Sequence, residues 1–264
     1  MPSSRLLSLP LMLTLAAAAC GGKSAPAPEG QGQPKNQAPA LAVDPATAAT
    51  IKGKVTFEGT APPNAPIKMN ADPYCMTVNK TPQTQETYMV GKAGELGNAF
   101  VWVQDGLGDR TFTAPTDPVV IDQKNCRYHP HVLGLMVGQP LQILNSDTTL
   151  HNIHALPSKN AEFNTGQPIQ GMKTDHIFTA AETMIPFKCD VHGWMNAYAG
   201  VLPHPFFAVT GEDGTFTIKG LPPGTYTLAA WQEKLGTQTE KITLAAKDEK
   251  EQNFTFKGAP TSGN

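Results

Sequence analysis

Residues 213–231 read DGTFTIKGLPPGTYTLAAW, two alternating apolar and polar runs, the first opened by Asp213-Gly214 and the two divided by Gly220-Leu-Pro-Pro-Gly224. Alternation at period two with Asp-Gly and Pro-Gly turn chemistry between the runs is the mark of β-hairpins. The pattern spreads outward in both directions. Upstream, residues 207–210 (FAVT) lead into the turn Gly211-Glu-Asp-Gly214, and near the other end residues 51–57 (IKGKVTF) alternate and stop at Gly59 and a Pro-rich turn. Residues 99–103 (AFVWV) are denser, as an inner strand is. Between them, strands are expected at 119–122, 131–137, 140–144, 176–178 and 184–188. An extended loop with a turn of helix is expected at 155–172, and a long loop tied down by Cys75 at 64–97. With 24 Gly and 24 Pro among 264 residues, 40% of them hydrophobic and 16% charged, the chain is read as all-β with many short strands. The net charge of −2 gives no support for nucleic-acid binding.

The stretch 213–231 closely resembles the prealbumin-like domain called carboxypeptidase-regulatory-like. In that family the domain opens with G-x-V-x-x-x-G, and Gly53-Lys-Val55 with Gly59 fits that opening. The resemblance implies one small β-sandwich built from residues 50–112 and 205–257 and interrupted by 113–204. Two independent small β-domains flanking the centre are the alternative.

The centre carries the chemistry. Cys189-Asp-Val-His192-Gly-Trp-Met195 is preceded 38 positions upstream by His151. A thiolate, two imidazoles and a weak thioether make the ligand set of a blue-copper site, where soft sulfur and borderline nitrogen suit both copper oxidation states. Three ligands on one short loop wrap the ion, while the fourth locks that loop to another strand. The C-x-x-H-x-x-M loop resembles the cupredoxins, amicyanin above all. Upstream, Tyr128-His-Pro130-His-Val132, the run from Val137 through Asn145-Ser-Asp147, and His151-Asn152 look like that family's strands leading to its first copper histidine. The resemblance implies a Greek-key cupredoxin sandwich over 113–204 holding one copper per chain. His151 and His192 would be imidazole ligands, Cys189 the thiolate, Met195 the axial ligand, and Asn152 a residue pinning the loop. It also implies an electron port at His192, with Trp194 and Phe206 near a docking patch. His154 is read as an ordinary histidine facing away. Cys126-x-x-His129-x-His131 leaves a second metal site open, and haem is unsupported, for no C-x-x-C-H occurs.

Residues 1–20 have the form of a secretory leader, and Leu15-Ala-Ala-Ala-Ala-Cys20 resembles the bacterial lipoprotein box, which makes Cys20 the lipidated residue. Residues 21–49, rich in Pro, Ala, Gln and Gly, read as a disordered tether, and 258–264 as a flexible tail. With Cys20 lipidated and Cys189 on the metal, Cys75 and Cys126 remain to form a disulfide in an oxidising compartment. Pairing of Cys126 with Cys189 is the alternative. The expected protein is a lipid-anchored electron carrier of the bacterial envelope, periplasmic or at the cell surface with the outer membrane favoured. It would pass single electrons between a donor and an acceptor protein rather than catalyse on a substrate. Copper storage or delivery, or a surface-binding module without redox function, are the alternatives.

Overall fold

The computed structural model describes residues 43–258, so the leader with Cys20, most of the tether and the tail from 259 lie outside the described residues. The tether ends earlier than expected. Asp44 accepts a hydrogen bond from Ala46 N–H at 2.9 Å to form a turn, and the first strand opens at the buried Ala49.

The described chain is all-β apart from one helix of six residues. The first segment holds β1 (Ala49–Glu58), β2 (Pro66–Ile67), α1 (Pro73–Val78), β3 (Gln83–Thr84) and β4 (Phe100–Asp105). The middle segment runs through β5 (Val119–Lys124), β6 (Arg127–His129), β7 (Val132–Met136), β8 (Pro140–Asn145), β9 (His151–Ala155), β10 (Phe163–Gln167), β11 (Lys173–Ile177), β12 (Glu182–Lys188) and β13 (Asn196–Leu202). The last contributes β14 (Phe207–Val209), β15 (Thr215–Leu221), β16 (Gly224–Gln232), β17 (Gly236–Leu244), β18 (Glu249–Glu251) and β19 (Phe254–Lys257).

Strands from both ends of the chain share one core. β1 pairs with β15 on one side and with β18 and β19 on the other, while β14, β4, β16 and β17 form a second sheet. Ile51, Val55, Phe216 and Ile218 from the first sheet pack with Val101, Val103, Leu228 and Ala230 from the second. The middle segment builds its own sandwich from β10-β9-β12-β13-β7 and β11-β8-β5-β6 around Ile121, Leu141, Ile143, Phe178, Ile185 and Phe187. β13 lies beyond the strands expected from sequence, and two further departures arise where inward apolar residues are sparse. β10 lies inside the stretch read as a loop, because its sequence FNTGQ pairs with β9 through the backbone. β11 begins three residues before its expected start, an edge strand of alternately exposed residues that precedes the buried Phe178.

The dense run of β4 has a structural cause. Val101 and Val103 face the first core, while Phe100 and Trp102 face a third cluster with Val132, Leu202, Ala229 and Phe207 that joins the two sandwiches. Gly134 of β7 and Gly200 of β13 stand opposite each other in parallel register, and a Cβ on either would run into the Phe100 ring, with Phe207 also in the way at Gly134. A paired glycine seat thus lets two aromatic rings lie flat on the middle sandwich. Replacing Gly134 or Gly200 by Ala is expected to cost about 1–3 kcal/mol through overpacking. Gly166→Ala, where nothing lies within 4 Å, should stay within about 0.5 kcal/mol; thermal denaturation separates them, and equal effects would refute the seat.

α1 starts at an N-cap, Asp72, whose side chain accepts from Tyr74 N–H at 2.7 Å and Cys75 N–H at 3.3 Å, with Pro73 at the first helical position. A Cys75–Cys126 disulfide fastens this helix to the turn joining β5 and β6. That turn is Asn125-Cys126, both with positive φ, as a two-residue hairpin turn matched to strand twist requires. The bridge spans 51 positions, a separation for which loop-closure entropy gives about 4 kcal/mol. Cys75→Ser should therefore lower the urea-unfolding free energy by roughly that amount; an unchanged midpoint would show the bridge to be dispensable.

Candidate metal centre

His151 is the first residue of β9, in register with Gln167 of β10. Cys189, His192 and Met195 lie on the loop between β12 and β13, closed by the pair Lys188 and Asn196. The loop is shaped from within: Cys189 N–H donates to Met195 O at 3.2 Å, and Met195 N–H to His192 O at 2.9 Å. It is shaped from β9 as well. Asn152 Oδ1 accepts from Asp190 N–H at 2.7 Å and Val191 N–H at 3.4 Å, and lies 3.2 Å from Cys189 Sγ. Asn152 thus pins the loop.

His151, Cys189 and His192 are each at most 2% exposed, and their donor atoms lie within 4.8 Å of one another. His151 Nδ1 stands 2.9 Å from His192 Nδ1, which is 3.9 Å from Cys189 Sγ. Each ring turns its other nitrogen to a carboxylate, His151 Nε2 to Asp147 Oδ2 and His192 Nε2 to Asp72 Oδ2, both at 2.9 Å. A carboxylate only accepts, so both Nε2 atoms carry hydrogen, and in neutral rings both Nδ1 atoms offer lone pairs to the space beside Cys189. An ion about 2.0 Å from each nitrogen and about 2.3 Å from sulfur would set the nitrogens roughly 3.1–3.6 Å apart, a few tenths of an ångström from where they stand. The donors therefore fit a metal ion with one thiolate and two imidazoles. Met195 is buried in the same apolar cluster as Cys189.

The electrostatics agree with the geometry. Burial works against the Cys189 thiolate, but hydrogen bonds from His151 and His192, made through Nδ1 when the rings are protonated, and from backbone amides outweigh it and bring the thiol down to about 6. Burial likewise opposes the charged form of His151 and of His192, while Asp147 and Asp72 respectively, together with Cys189, raise both rings.

Several expectations change. His192 has no exposed edge: Asp72 covers its Nε2, and Cys75 Sγ lies 3.7 Å from the same atom. An electron port through a bare His192 edge is thus corrected, because α1 covers that ring. Phe206 is not a docking residue. It lies in the first core, edge-on to Phe112 at 5.1 Å and stacked beside His204, where burial of its ring stabilises more than display would. Trp194 is half-buried, its ring 5.0 Å from that of His192 and its Nε1–H donating to Cys126 O at 2.9 Å. Cys126 is disulfide-bonded and His129 exposed, while His131 lies between Glu233 and Asn196 O, so these three assemble no site. Cys189 is a free thiol, which removes the Cys126–Cys189 pairing. His154 bridges Asp190 and Glu162, apart from the ligand cluster.

In sequence, Asp147 stands out only as part of the run leading to His151, with no role assigned, and Asp72 does not stand out. Asp147 does sit four residues before His151, but nothing near Asp72 in the chain points to a histidine 120 positions away.

Residues 203–257 match the family model of the carboxypeptidase regulatory-like domain. No curated protein matches the chain. Among solved structures, a purple cupredoxin from Nitrosopumilus maritimus is 22% identical over 32% of this chain and 97% of its own, with a TM-score of 0.27. A copper(I) amicyanin mutant is 21% identical over 39% of this chain and 98% of its own, at 0.29. A copper-containing nitrite reductase from Thermus scotoductus is 20% identical over 34% of this chain, at 0.31, and the match spans only 23% of the reductase.

The metal-free protein should show thiolate absorbance rising around pH 6, whereas the unfolded chain titrates near 9.0, the ordinary value. A folded pKa below the unfolded one adds stability that is complete above about pH 9 and lost as pH falls through about 6. Ultraviolet titration of the parent against Cys189→Ser reads this directly, and a midpoint near 9 would contradict it.

Proposed function

We propose that the chain is an exported, lipid-anchored type 1 copper protein that shuttles single electrons between redox proteins of the bacterial envelope. The observation that carries it is the convergence of His151 Nδ1, His192 Nδ1 and Cys189 on one buried point while both Nε2 atoms are engaged by carboxylates. The resemblance of the Cys189 to Met195 loop to the cupredoxins supports copper, and so does the donor chemistry, since mixed thiolate and imidazole ligands suit both of its oxidation states. Bound copper would supply a one-electron couple. His151, His192 and Cys189 would hold the ion, with Met195 as a further weak thioether donor, while Asn152 fixes the loop and the disulfide-tied α1 closes over His192. A donor set that is already assembled moves little between oxidation states, which suits electron transfer better than turnover of a bound substrate.

Trp194, half-buried and in ring contact with His192, is the proposed side of approach for a partner protein. Cys20 is the proposed lipid attachment. Among the described residues no helix is long and apolar enough to cross a membrane.

Adding Cu(II) to the purified full chain should produce an intense visible thiolate-to-copper band, absent in Cys189→Ser. A parent that stays colourless while folded would reject the copper assignment. Rapid loss of the band to a chelator would favour storage or delivery over electron transfer, because a shuttle must retain its ion through repeated cycles.

A further inference from the structure

Resting on the copper assignment, we propose that Asp72 and Asp147 are positioning residues of the metal centre, a pair of anionic carboxylates that aim both imidazoles at Cys189 and favour Cu(II) over Cu(I).

Neither carboxylate is a casual contact. Asp147 is buried and accepts from Asn125 N–H at 2.8 Å, Cys126 N–H at 2.7 Å and the Tyr74 hydroxyl at 3.0 Å, besides His151 Nε2 at 2.9 Å. Asp72 accepts from Tyr74 N–H at 2.7 Å, Cys75 N–H at 3.3 Å and the Thr149 hydroxyl at 2.8 Å, besides His192 Nε2 at 2.9 Å. The two half-cystines therefore each donate a backbone N–H to one carboxylate. Tyr74 bridges the pair, its amide on Asp72 and its hydroxyl on Asp147. One covalently closed unit of α1 and the β5–β6 turn thus fixes both carboxylates, and through them both rings.

Two consequences follow from elementary electrostatics. A carboxylate behind a metal-bound histidine fixes the tautomer and raises the basicity of the ligating nitrogen. Two carboxylates and one thiolate also place three negative charges around the site, and in a buried setting their attraction for a dication exceeds that for a monocation by more than it would in water. Both effects stabilise Cu(II) relative to Cu(I). Asp72, at the start of α1 in the first segment, reaches His192 across 120 positions, whereas Asp147 stands four residues before His151, so one ring is held by an element distant in sequence and the other by its own neighbourhood.

The test compares Asp72→Asn and Asp147→Asn with the parent full chain, and Glu162→Gln serves as a control because that carboxylate engages the non-ligand His154. Each Asp variant should lose roughly 10-fold to 100-fold in Cu(II) affinity and a smaller factor in Cu(I) affinity. A tenfold change in that ratio raises the one-electron potential by about 59 mV, while Glu162→Gln leaves it in place. Nitrogen NMR of the metal-free protein gives an independent readout. In the parent both His151 and His192 should carry hydrogen on Nε2, and each Asp variant should lose that preference at its own ring. If Asp147→Asn fails to fold, Asp72→Asn and the milder Tyr74→Phe decide the matter. A blue parent whose variants keep its Cu(II) to Cu(I) affinity ratio within twofold would overturn the proposal. So would metal-free rings whose hydrogen sits on Nδ1. A parent that binds no copper yet shows the Nε2 tautomers would instead reject the copper assignment and leave the positioning role standing.

Discussion

Two imidazole nitrogens held 2.9 Å apart with lone pairs facing each other repel unless a cation lies between them. In this chain that arrangement is imposed from outside, because each ring is held at its far nitrogen by a carboxylate that can only accept. A proton can relieve the repulsion, and so can a metal ion, with a buried thiol close enough to join either. Everything else near the site serves to keep the two nitrogens there: the Asn152 side chain under the loop, the N-cap of α1, and the turn whose amides Asp147 accepts.

The same economy governs how the middle sandwich sits against the one it interrupts. An interface between two sandwiches needs flat surfaces, and β-sheets normally bristle with side chains. The opposed glycines at 134 and 200 remove two of them at one spot, and Phe100 and Phe207 fill the space. β4 can then bury Val101 and Val103 on one side and Phe100 and Trp102 on the other, belonging to two apolar clusters at once. Orientation of the two sandwiches matters to the site, because Asp72 and Cys75 reach it from the first segment while His151, Cys189 and His192 belong to the middle one.

Legibility in the sequence tracked how local each interaction is. Period-two alternation between Gly and Pro turns marked the hairpin of β15 and β16, and the spacing of Cys189, His192 and Met195 marked the loop that carries two of the three candidate metal donors. The disulfide could be reached by accounting for cysteines, without geometry. Strand β10 was invisible because FNTGQ carries a single large apolar residue and is held by backbone pairing. Asp72-Pro73 has the chemistry of a helix start, yet its meeting with His192 across 120 positions leaves no periodic trace. Phe206 misled for a related reason: an aromatic beside prolines looks like a surface patch, and only the tertiary core shows that Phe112 and His204 enclose it.

If the proposed electron transfer holds, burial of His192 changes where an electron would enter. A ligand ring open to solvent lets a partner approach to contact distance, but here Asp72, Cys75 and Trp194 lie over or beside it. Of these, Trp194 alone offers a conjugated ring, and its backbone O accepts from Gln85 while its Nε1–H reaches the Cys126 carbonyl. It is thereby clamped between the first segment and the disulfide turn, so its orientation to His192 is set by the same elements that set the ligands. A partner approaching on this side would meet a fixed aromatic face rather than a mobile side chain. The cover of α1 would then cost distance without adding reorganisation, and the Cys75–Cys126 bridge is what keeps that cover in place.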